Sequence, residues 1–140
     1  MNPKTLFPWI GSKRKNVGHL CEFLPKEWDR KTKTYFEPFL GSGSMFFALQ
    51  PEHACLGDTH KYISTMYRSL IQNSGKLLEI LNEYSDNSSP ELYASIKSRI
   101  LTANEIERAA MYWYLLKCSL FSAPRERADG KGMVQYRHRK

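Results

Sequence analysis

The chain has 140 residues, of which 41% are hydrophobic and 13% aromatic, so its composition excludes a disordered protein and allows one modest domain with a core. Its net charge is +7, and the last 24 residues hold seven Lys/Arg against two acids, a net +5. No apolar run approaches the length of a membrane span, no signal-peptide core follows Met1, and three scattered cysteines indicate reduced thiols, which predicts a cytoplasmic protein without membrane association.

The first dozen residues contain Pro8 and Gly11, which predict an extended loop rather than a helix. Ser12 is a suitable N-cap for a helix that follows it. Apolar residues recur at helical spacing from Val17 to Leu24, and the proline after Leu24 ends the pattern. The sequence therefore predicts a loop, then one short amphipathic helix.

The stretch from Tyr35 to Ser44 predicts a strand over 34–39, a turn with two glycines, and a helix over 45–49. Glycine permits a positive φ and leaves no side chain between the backbone and a ligand, and the opening N–H groups of a helix attract anions. Taken alone, a G-x-G spacing is also typical of an ordinary strand-to-helix turn. Phe46 stands where a dinucleotide-binding fingerprint needs a small residue, which argues against a nicotinamide or flavin site.

A second strand is predicted over 53–57, and Asp58 follows it directly. An acid at the carboxyl end of the second strand can accept both hydroxyl protons of a ribose. The glycine turn and this acid together indicate a ligand that carries a nucleoside, without identifying it. His53, Cys55 and His60 lie nearby in the sequence, but no fourth ligand has suitable spacing, so we expect no metal site.

The region after Asp58 is predicted to be helical. Thr59 is placed to cap a helix, Asn73-Ser74-Gly75 to break it, and a short helix to follow at 77–81. A polar loop over 85–89 then precedes a helix with Ser89 as its N-cap and Pro90 at its first position. Further on, Asn104 with Glu107 resembles a capping box before a central apolar helix.

The segment 122–140 contains Pro, Asp-Gly and a basic excess, which predicts a loop or short hairpin with a weak third strand near 132–136. Its charge suits a polyanion such as nucleic acid, and a solvated terminus explains the charge equally well. The candidate nucleic-acid-binding residues are Arg125, Arg127, Lys131, Arg137, Arg139 and Lys140. With only two secure strands, the sheet is expected to expose an edge or face that favours a partner.

Three pieces in this order resemble one enzyme family: Trp9-Ile10-Gly11-Ser12-Lys13, then Glu37-Pro38-Phe39-Leu40-Gly41-Ser42-Gly43-Ser44, then Gly57-Asp58. The order is similar to that of the Dam-type (D12 class) DNA adenine-N6 methyltransferases. The match is close over about residues 5–70 and loose from 105 to 136. The resemblance implies an α/β chain with a partial Rossmann-like S-adenosylmethionine-dependent methyltransferase fold, a helical segment over 60–118 within a domain spanning 1–121, and a basic tail over 122–140 that begins a target-recognition region.

The resemblance also implies a pocket for S-adenosylmethionine and DNA as a partner. Trp9 and Lys13 would contact the cofactor from the N-terminal loop, although a core aromatic and a solvated lysine explain them too. The glycines would let the backbone approach the cofactor, and Asp58 would accept the ribose hydroxyls. The candidate cofactor-binding residues are Trp9, Lys13, Glu37, Gly41, Gly43, Ser44 and Asp58.

The chain departs from the family at the catalytic motif, Asp/Asn-Pro-Pro-Tyr/Phe, because no two of its seven prolines are adjacent. We therefore assign no catalytic residue and expect no methyl transfer by this chain alone. The leading interpretation is the cofactor-binding N-terminal part of a DNA adenine methyltransferase, split or truncated, that needs a further segment, a second protein chain or self-association. The alternatives are an inactive methyltransferase-like regulatory protein, and a small basic nucleic-acid-binding protein without cofactor.

Overall fold

The computed structural model describes residues 4–119, and these fall into two compact units, one ending at Thr59 and the other beginning at His60. The predicted strand near 132–136, the boundary at residue 121 and the whole of the predicted tail lie outside the described residues. Within residues 4–119 the chain combines helices with a small parallel sheet, as expected for part of an α/β methyltransferase. No helix in this part is long and apolar enough to cross a membrane.

The first unit is built around two parallel strands, β1 (Thr34–Glu37) and β2 (His53–Leu56), with Thr34 paired to His53 and Glu37 to Leu56. Both predicted strands are confirmed and end earlier than expected. Hydrogen bonds continue beyond the ladder, since the N–H of Gly57 donates to the carbonyl of Glu37 at 2.9 Å. The two strand ends are thereby held side by side where the glycine turn begins.

Two short helices complete this unit. A 3-10 turn over Arg14–Asn16 leads into α1 (Val17–Cys21), and α2 (Ser44–Leu49) follows the glycine turn. The prediction that Ser12 caps the first helix is wrong, because α1 begins five residues later and has no side-chain cap bond. The Ser12 hydroxyl instead bonds to hydroxyls of the glycine turn.

The second unit contains α3 (Lys61–Asp86), α4 (Pro90–Arg99) and α5 (Glu105–Cys118). Helix α5 packs chiefly against α3 and also contacts α4. The prediction of a central apolar helix is confirmed, because seven of its fourteen residues are buried. Tyr112 of α5 stacks on Tyr62 of α3 with ring centroids 4.4 Å apart, and both are fully buried.

The predicted helix break at 73–75 is a kink inside α3 rather than a loop. Asn73 has non-helical angles (φ −145°, ψ 46°), and the helix then resumes up to Asp86. Leu77 and Tyr84 beyond the kink are buried, and their burial stabilises the second half of the helix although Gly75 weakens it.

The predicted helix starts have mixed outcomes. Ser89 and Asn104 are confirmed as N-caps, since their side chains accept the N–H of Leu92 at 3.1 Å and of Glu107 at 3.0 Å. Thr59 does not cap α3, whose N-cap is His60 and has no side-chain cap bond.

Candidate functional site

A cavity of about 280 Å³ lies within the first unit, at the carboxyl ends of β1 and β2. Its walls are the N-terminal loop, residues 9–13, and the glycine turn, residues 37–45, with Asp58 completing them. Ligands of open parallel sheets bind at the carboxyl ends of the strands. The volume of about 280 Å³ lies just below the usual range for small-molecule sites, about 300–1,000 Å³. The position and size suit a site for a small molecule.

Asp58 is fixed at this cavity by the glycine turn. The backbone N–H of Gly41 donates to Oδ2 of Asp58 at 2.7 Å, a short charge-assisted hydrogen bond. An ionised carboxylate offers about four lone-pair sites, so it can accept several hydrogen bonds at once. The bond orients Asp58 toward the same space that the turn encloses.

Gly41 is also the point where Trp9 approaches the turn. Gly41 has a φ of +49°, and a Cβ placed on it would lie 2.9 Å from Cδ1 and 3.1 Å from Nε1 of the Trp9 indole. An L side chain would therefore suffer both backbone strain and a collision. A glycine here lets the indole of Trp9 lie directly against the turn and form one wall of the cavity.

Three serine hydroxyls form a closed ring between the two walls. The Oγ of Ser12 lies 2.8 Å from that of Ser44, Ser42 donates to Ser12 at 3.0 Å, and Ser42 and Ser44 are 3.1 Å apart. Ser42 and Ser44 are buried, and Ser12 is half-buried. The ring connects the N-terminal loop to the glycine turn and so sets the separation of the cavity walls.

Glu37 supplies negative charge inside the cavity. Burial raises the pKa of its carboxyl group, and hydrogen bonds from the Tyr35 hydroxyl and the Phe46 backbone act on the pKa in the opposite direction. Its Oε2 atom is shielded from solvent and has no hydrogen-bond partner among the described residues. A buried carboxylate oxygen without a partner is costly, and a cationic ligand group would stabilise it.

The structure brings most of the sequence-predicted cofactor residues together. Those lining the cavity are Trp9, Lys13, Glu37, Gly41, Ser44 and Asp58. Gly43 is not among the lining residues; it takes a φ of +67°, acts as the N-cap of α2 and donates its N–H to the carbonyl of Leu40 at 2.7 Å. Its place is therefore in the turn itself. The predicted nucleic-acid-binding residues, 125–140, lie outside the described residues.

Sequence reasoning did not assign several lining residues, namely Ile10, Gly11, Ser12, Phe39, Leu40, Ser42 and Met45. Each lies inside or beside one of the two motifs already singled out, so proximity in sequence was the available signal. Phe39 is 79% exposed in spite of its apolar ring, which only the structure shows. No sequence pattern predicts the ring of serine hydroxyls, since it forms only where the N-terminal loop and the glycine turn meet.

Comparisons with known proteins show the family to which the chain belongs. The family profile of the D12 class N6 adenine-specific DNA methyltransferases matches residues 9–140, and the chain belongs to that family. It is 29% identical over 141 residues to the type II methyltransferase M1.LlaDCHI of Lactococcus lactis subsp. cremoris. The aligned region covers 97% of this chain and 48% of that relative.

A second relative is the type II methyltransferase M.MjaIII of Methanocaldococcus jannaschii, which is 24% identical over 152 residues, covering 97% of this chain and 53% of the relative. The chain thus spans about half the length of the curated relatives that it matches. Methyltransferases of this kind generally use S-adenosylmethionine, and a DNA methyltransferase acts on DNA.

The cavity's residues fit such a cofactor. The methionyl end carries an ammonium group, which suits the unpartnered Oε2 of Glu37, and a carboxylate, which suits the ammonium of Lys13. The nucleoside end offers ribose hydroxyls for Asp58 and an adenine ring for the apolar walls. The ammonium group, the carboxylate and the ribose hydroxyls of the ligand therefore each have a chemically matched group in one cavity.

Proposed function

We propose that this chain is the S-adenosylmethionine-binding N-terminal part of a DNA adenine-N6 methyltransferase, and that methyl transfer requires a further segment or a partner chain. The observation that carries the proposal is the gathering of Trp9, Lys13, Glu37, Gly41 and Asp58 around one cavity in a member of the D12 family. These residues come from three separate motifs and meet only in the fold.

Each residue has a distinct role in holding the cofactor. Glu37 accepts the ammonium group, Lys13 neutralises the carboxylate, and Asp58 accepts ribose hydroxyls while Gly41 fixes its orientation. Trp9, held against Gly41, supplies an aromatic wall. When bound, the cofactor supplies an activated methyl group on a sulfonium centre. The residues of this chain bind and orient it at the strand ends.

Transfer needs more than a bound cofactor. The exocyclic amine of adenine is a poor nucleophile, because its lone pair is delocalised into the ring. It must be held in line with the methyl group, with acceptors for its protons and a clamp on the flipped base. The sequence has no Pro-Pro motif to provide these, and Glu37-Pro38-Phe39 belongs to the glycine turn.

The edge of β1 supports a requirement for a further segment or partner. A groove of about 470 Å³ runs along this strand, lined by Trp28, Tyr35 and Phe36 among others and by no residue of β2. Tyr35 and Phe36 point to opposite faces of the sheet, so a groove that touches both lies along the strand edge. Phe36 is 69% exposed, whereas strands of parallel sheets are normally covered on both faces.

A transfer assay tests the proposal. The purified monomeric chain is incubated with methyl-labelled S-adenosylmethionine and adenine-containing duplex or single-stranded DNA, and label in adenine is counted. No incorporation is expected from the chain alone, and incorporation is expected after co-expression with the adjacent reading frame if that frame carries a Pro-Pro-aromatic motif. Turnover by the chain alone, abolished by Asp58→Ala, would show that it holds its own catalytic site.

A further inference from the structure

The sequence Lys13-Arg14-Lys15 is the one run of three consecutive Lys/Arg residues in the chain. All three residues are exposed, and within the described residues their side chains form no ion pair. We call these three residues the basic loop surface. They form the last part of the N-terminal loop and the start of the 3-10 turn before α1. Their charge is therefore available to an external anion.

Three other cations of the described part form bonds within the protein. Arg68 donates to Glu105 at 2.7 Å and Lys76 to Glu79 at 2.9 Å. Arg108 donates to three backbone carbonyls in the connection between α4 and α5, the shortest bond being 2.6 Å. The basic loop surface differs from these in having three adjacent charges directed to solvent.

The basic loop surface adjoins the cavity along the chain, because Lys13 is one of the lining residues and Arg14 and Lys15 follow it directly in the sequence. The space at the two glycines beside this surface is open. A Cβ added to Gly11 or to Gly18, which flank the run, would meet nothing within 4 Å. Glu37 and Asp58 line the same cavity as Lys13, and the carboxylate of Glu22, later in the chain, lies 3.2 Å from the ring of His19. The three cations thus lie on an exposed segment with open space at both flanking glycines.

We propose that Arg14 and Lys15 bind the phosphate backbone of duplex DNA at the mouth of the cofactor cavity. The inference rests on the proposed function and adds the surface of this chain that the DNA contacts. A methyl acceptor must come within about 3–3.5 Å of the reacting atom, so the strand that carries the target adenine has to cross the mouth of the cavity. Phosphates flank every base, and an arginine can bind a phosphate through two parallel hydrogen bonds.

This surface has a different task from the basic tail. Cations anywhere on a protein raise its general affinity for DNA through release of counterions. Cations at the mouth of the cavity additionally fix where the backbone lies relative to the bound cofactor. Lys13 is assigned to the cofactor, so only Arg14 and Lys15 are assigned to phosphate.

The test measures binding of a fluorescent DNA duplex by anisotropy over a series of salt concentrations. The variant Arg14→Gln/Lys15→Gln is compared with Lys31→Gln/Lys33→Gln, which removes the same charge from the same unit. Lys31 and Lys33 both precede β1, at the end of the strand away from the cavity. They lie beside the carboxylate of Asp29. For every phosphate that a variant no longer binds, the slope of log K against log salt should fall in magnitude by about 0.9.

We expect the Arg14/Lys15 variant to lower the slope by about 1.8, for two phosphates at about 0.9 each, and the control pair to change it little. Equal reductions in both variants would mean that only net charge matters and would overturn the proposal. An unchanged slope in the Arg14/Lys15 variant would overturn it as well.

Calorimetry with S-adenosylmethionine separates this proposal from the proposed function. The Arg14/Lys15 variant should bind the cofactor as the wild type does. Cofactor binding by a wild-type chain that binds no DNA would overturn the phosphate surface and leave the cofactor site standing. A wild-type chain that binds neither would contradict both.

Discussion

The backbone N–H of Gly41 donates a 2.7 Å hydrogen bond to the carboxylate of Asp58, seventeen residues further along the chain. The bond joins the glycine turn after β1 to the acid after β2. Two features that the sequence offers separately thereby become one wall of a cavity. The indole of Trp9 also lies against this glycine, so Gly41 connects all three motifs.

Replacing Gly41 by alanine should therefore damage the site more than a surface glycine substitution does. The new Cβ would collide with the Trp9 ring and force a residue with a side chain into a φ of +49°. We expect a loss of stability of about 1–3 kcal/mol and weakened cofactor binding. Thermal unfolding and calorimetry measure both quantities.

The matched control is Gly18→Ala, in helix α1 of the same unit, where a Cβ meets nothing within 4 Å. Alanine favours a helix over glycine by up to about 1 kcal/mol, so this variant should be neutral or slightly more stable. If Gly41→Ala behaves like Gly18→Ala, the contact with Trp9 has no energetic role.

Ser12→Ala should open the hydroxyl ring. The change removes two of its three hydrogen bonds, to Ser44 at 2.8 Å and from Ser42 at 3.0 Å, and leaves the two remaining hydroxyls bonded only to each other. At about 0.5–1.5 kcal/mol for each bond, unfolding free energy should fall by about 1–3 kcal/mol. Because the N-terminal loop is then less firmly attached, cofactor affinity should fall too.

The control for Ser12→Ala is Ser98→Ala, which removes one exposed bond to the carbonyl of Ser95. Denaturant unfolding of both variants gives the comparison. Unaltered cofactor affinity in a Ser12→Ala protein that folds normally would show that the ring does not position the loop for the ligand.

Cofactor binding should strengthen as pH rises through the pKa of Glu37. Burial raises this pKa above its ordinary value of 4.5, and the ammonium group of the cofactor prefers the ionised carboxylate. Below the pKa a proton must leave on binding, so affinity should fall by up to about tenfold per pH unit. Glu37→Gln should bind weakly and lose this pH dependence, and calorimetry across the acid range measures it.

Ionisation of Glu37 should lower the stability of the unliganded chain, although it strengthens cofactor binding. Since the folded pKa of Glu37 is raised, its contribution to stability is present below pH 4.5 and is lost as pH rises through the folded value. The unliganded chain should therefore gain stability from Glu37→Gln at neutral pH. A wild-type affinity that does not change with pH would contradict the assignment of Glu37 to the ammonium group.

The sequence was sufficient to predict both strands, the turn and six of the thirteen residues that line the cavity, because these lie in short motifs with strong local constraints. Glycine at a positive φ, an acid after a strand, and caps such as Ser89 and Asn104 are set by neighbouring residues. The ring of Ser12, Ser42 and Ser44 was not predictable, since about thirty residues separate its partners and no local pattern encodes their meeting.

The errors in helix boundaries have a common cause. Asn73 and Gly75 are unfavourable in a helix, but burial of Leu77 and Tyr84 outweighs that local preference and α3 continues beyond the kink. Ser12 has the chemistry of an N-cap, yet its hydroxyl is used by the glycine turn. In both cases a tertiary contact decides between two locally acceptable structures.

The exposed edge of β1 predicts association. Phe36 is 69% exposed beside the groove, and a charged residue on an edge strand disfavours pairing with another chain. We expect the wild-type chain to self-associate, or to capture the chain that completes the fold, and Phe36→Lys to weaken this. Sedimentation of the two proteins, with Leu101→Lys as an exposed apolar control in the second unit, provides the measurement. If Phe36→Lys and the wild type sediment equally, the chain does not associate through the edge of β1.

Binding of S-adenosylmethionine at the ends of β1 and β2 is tested most directly by titration calorimetry of the purified chain with S-adenosylmethionine and with its demethylated product. We predict saturable binding that is weakened at least about tenfold by Asp58→Ala, equivalent to about 1.4 kcal/mol, because the variant loses a charge-assisted acceptor for the ribose hydroxyls. No heat at millimolar ligand, or equal affinity in the folded Asp58→Ala variant, would contradict the cofactor site.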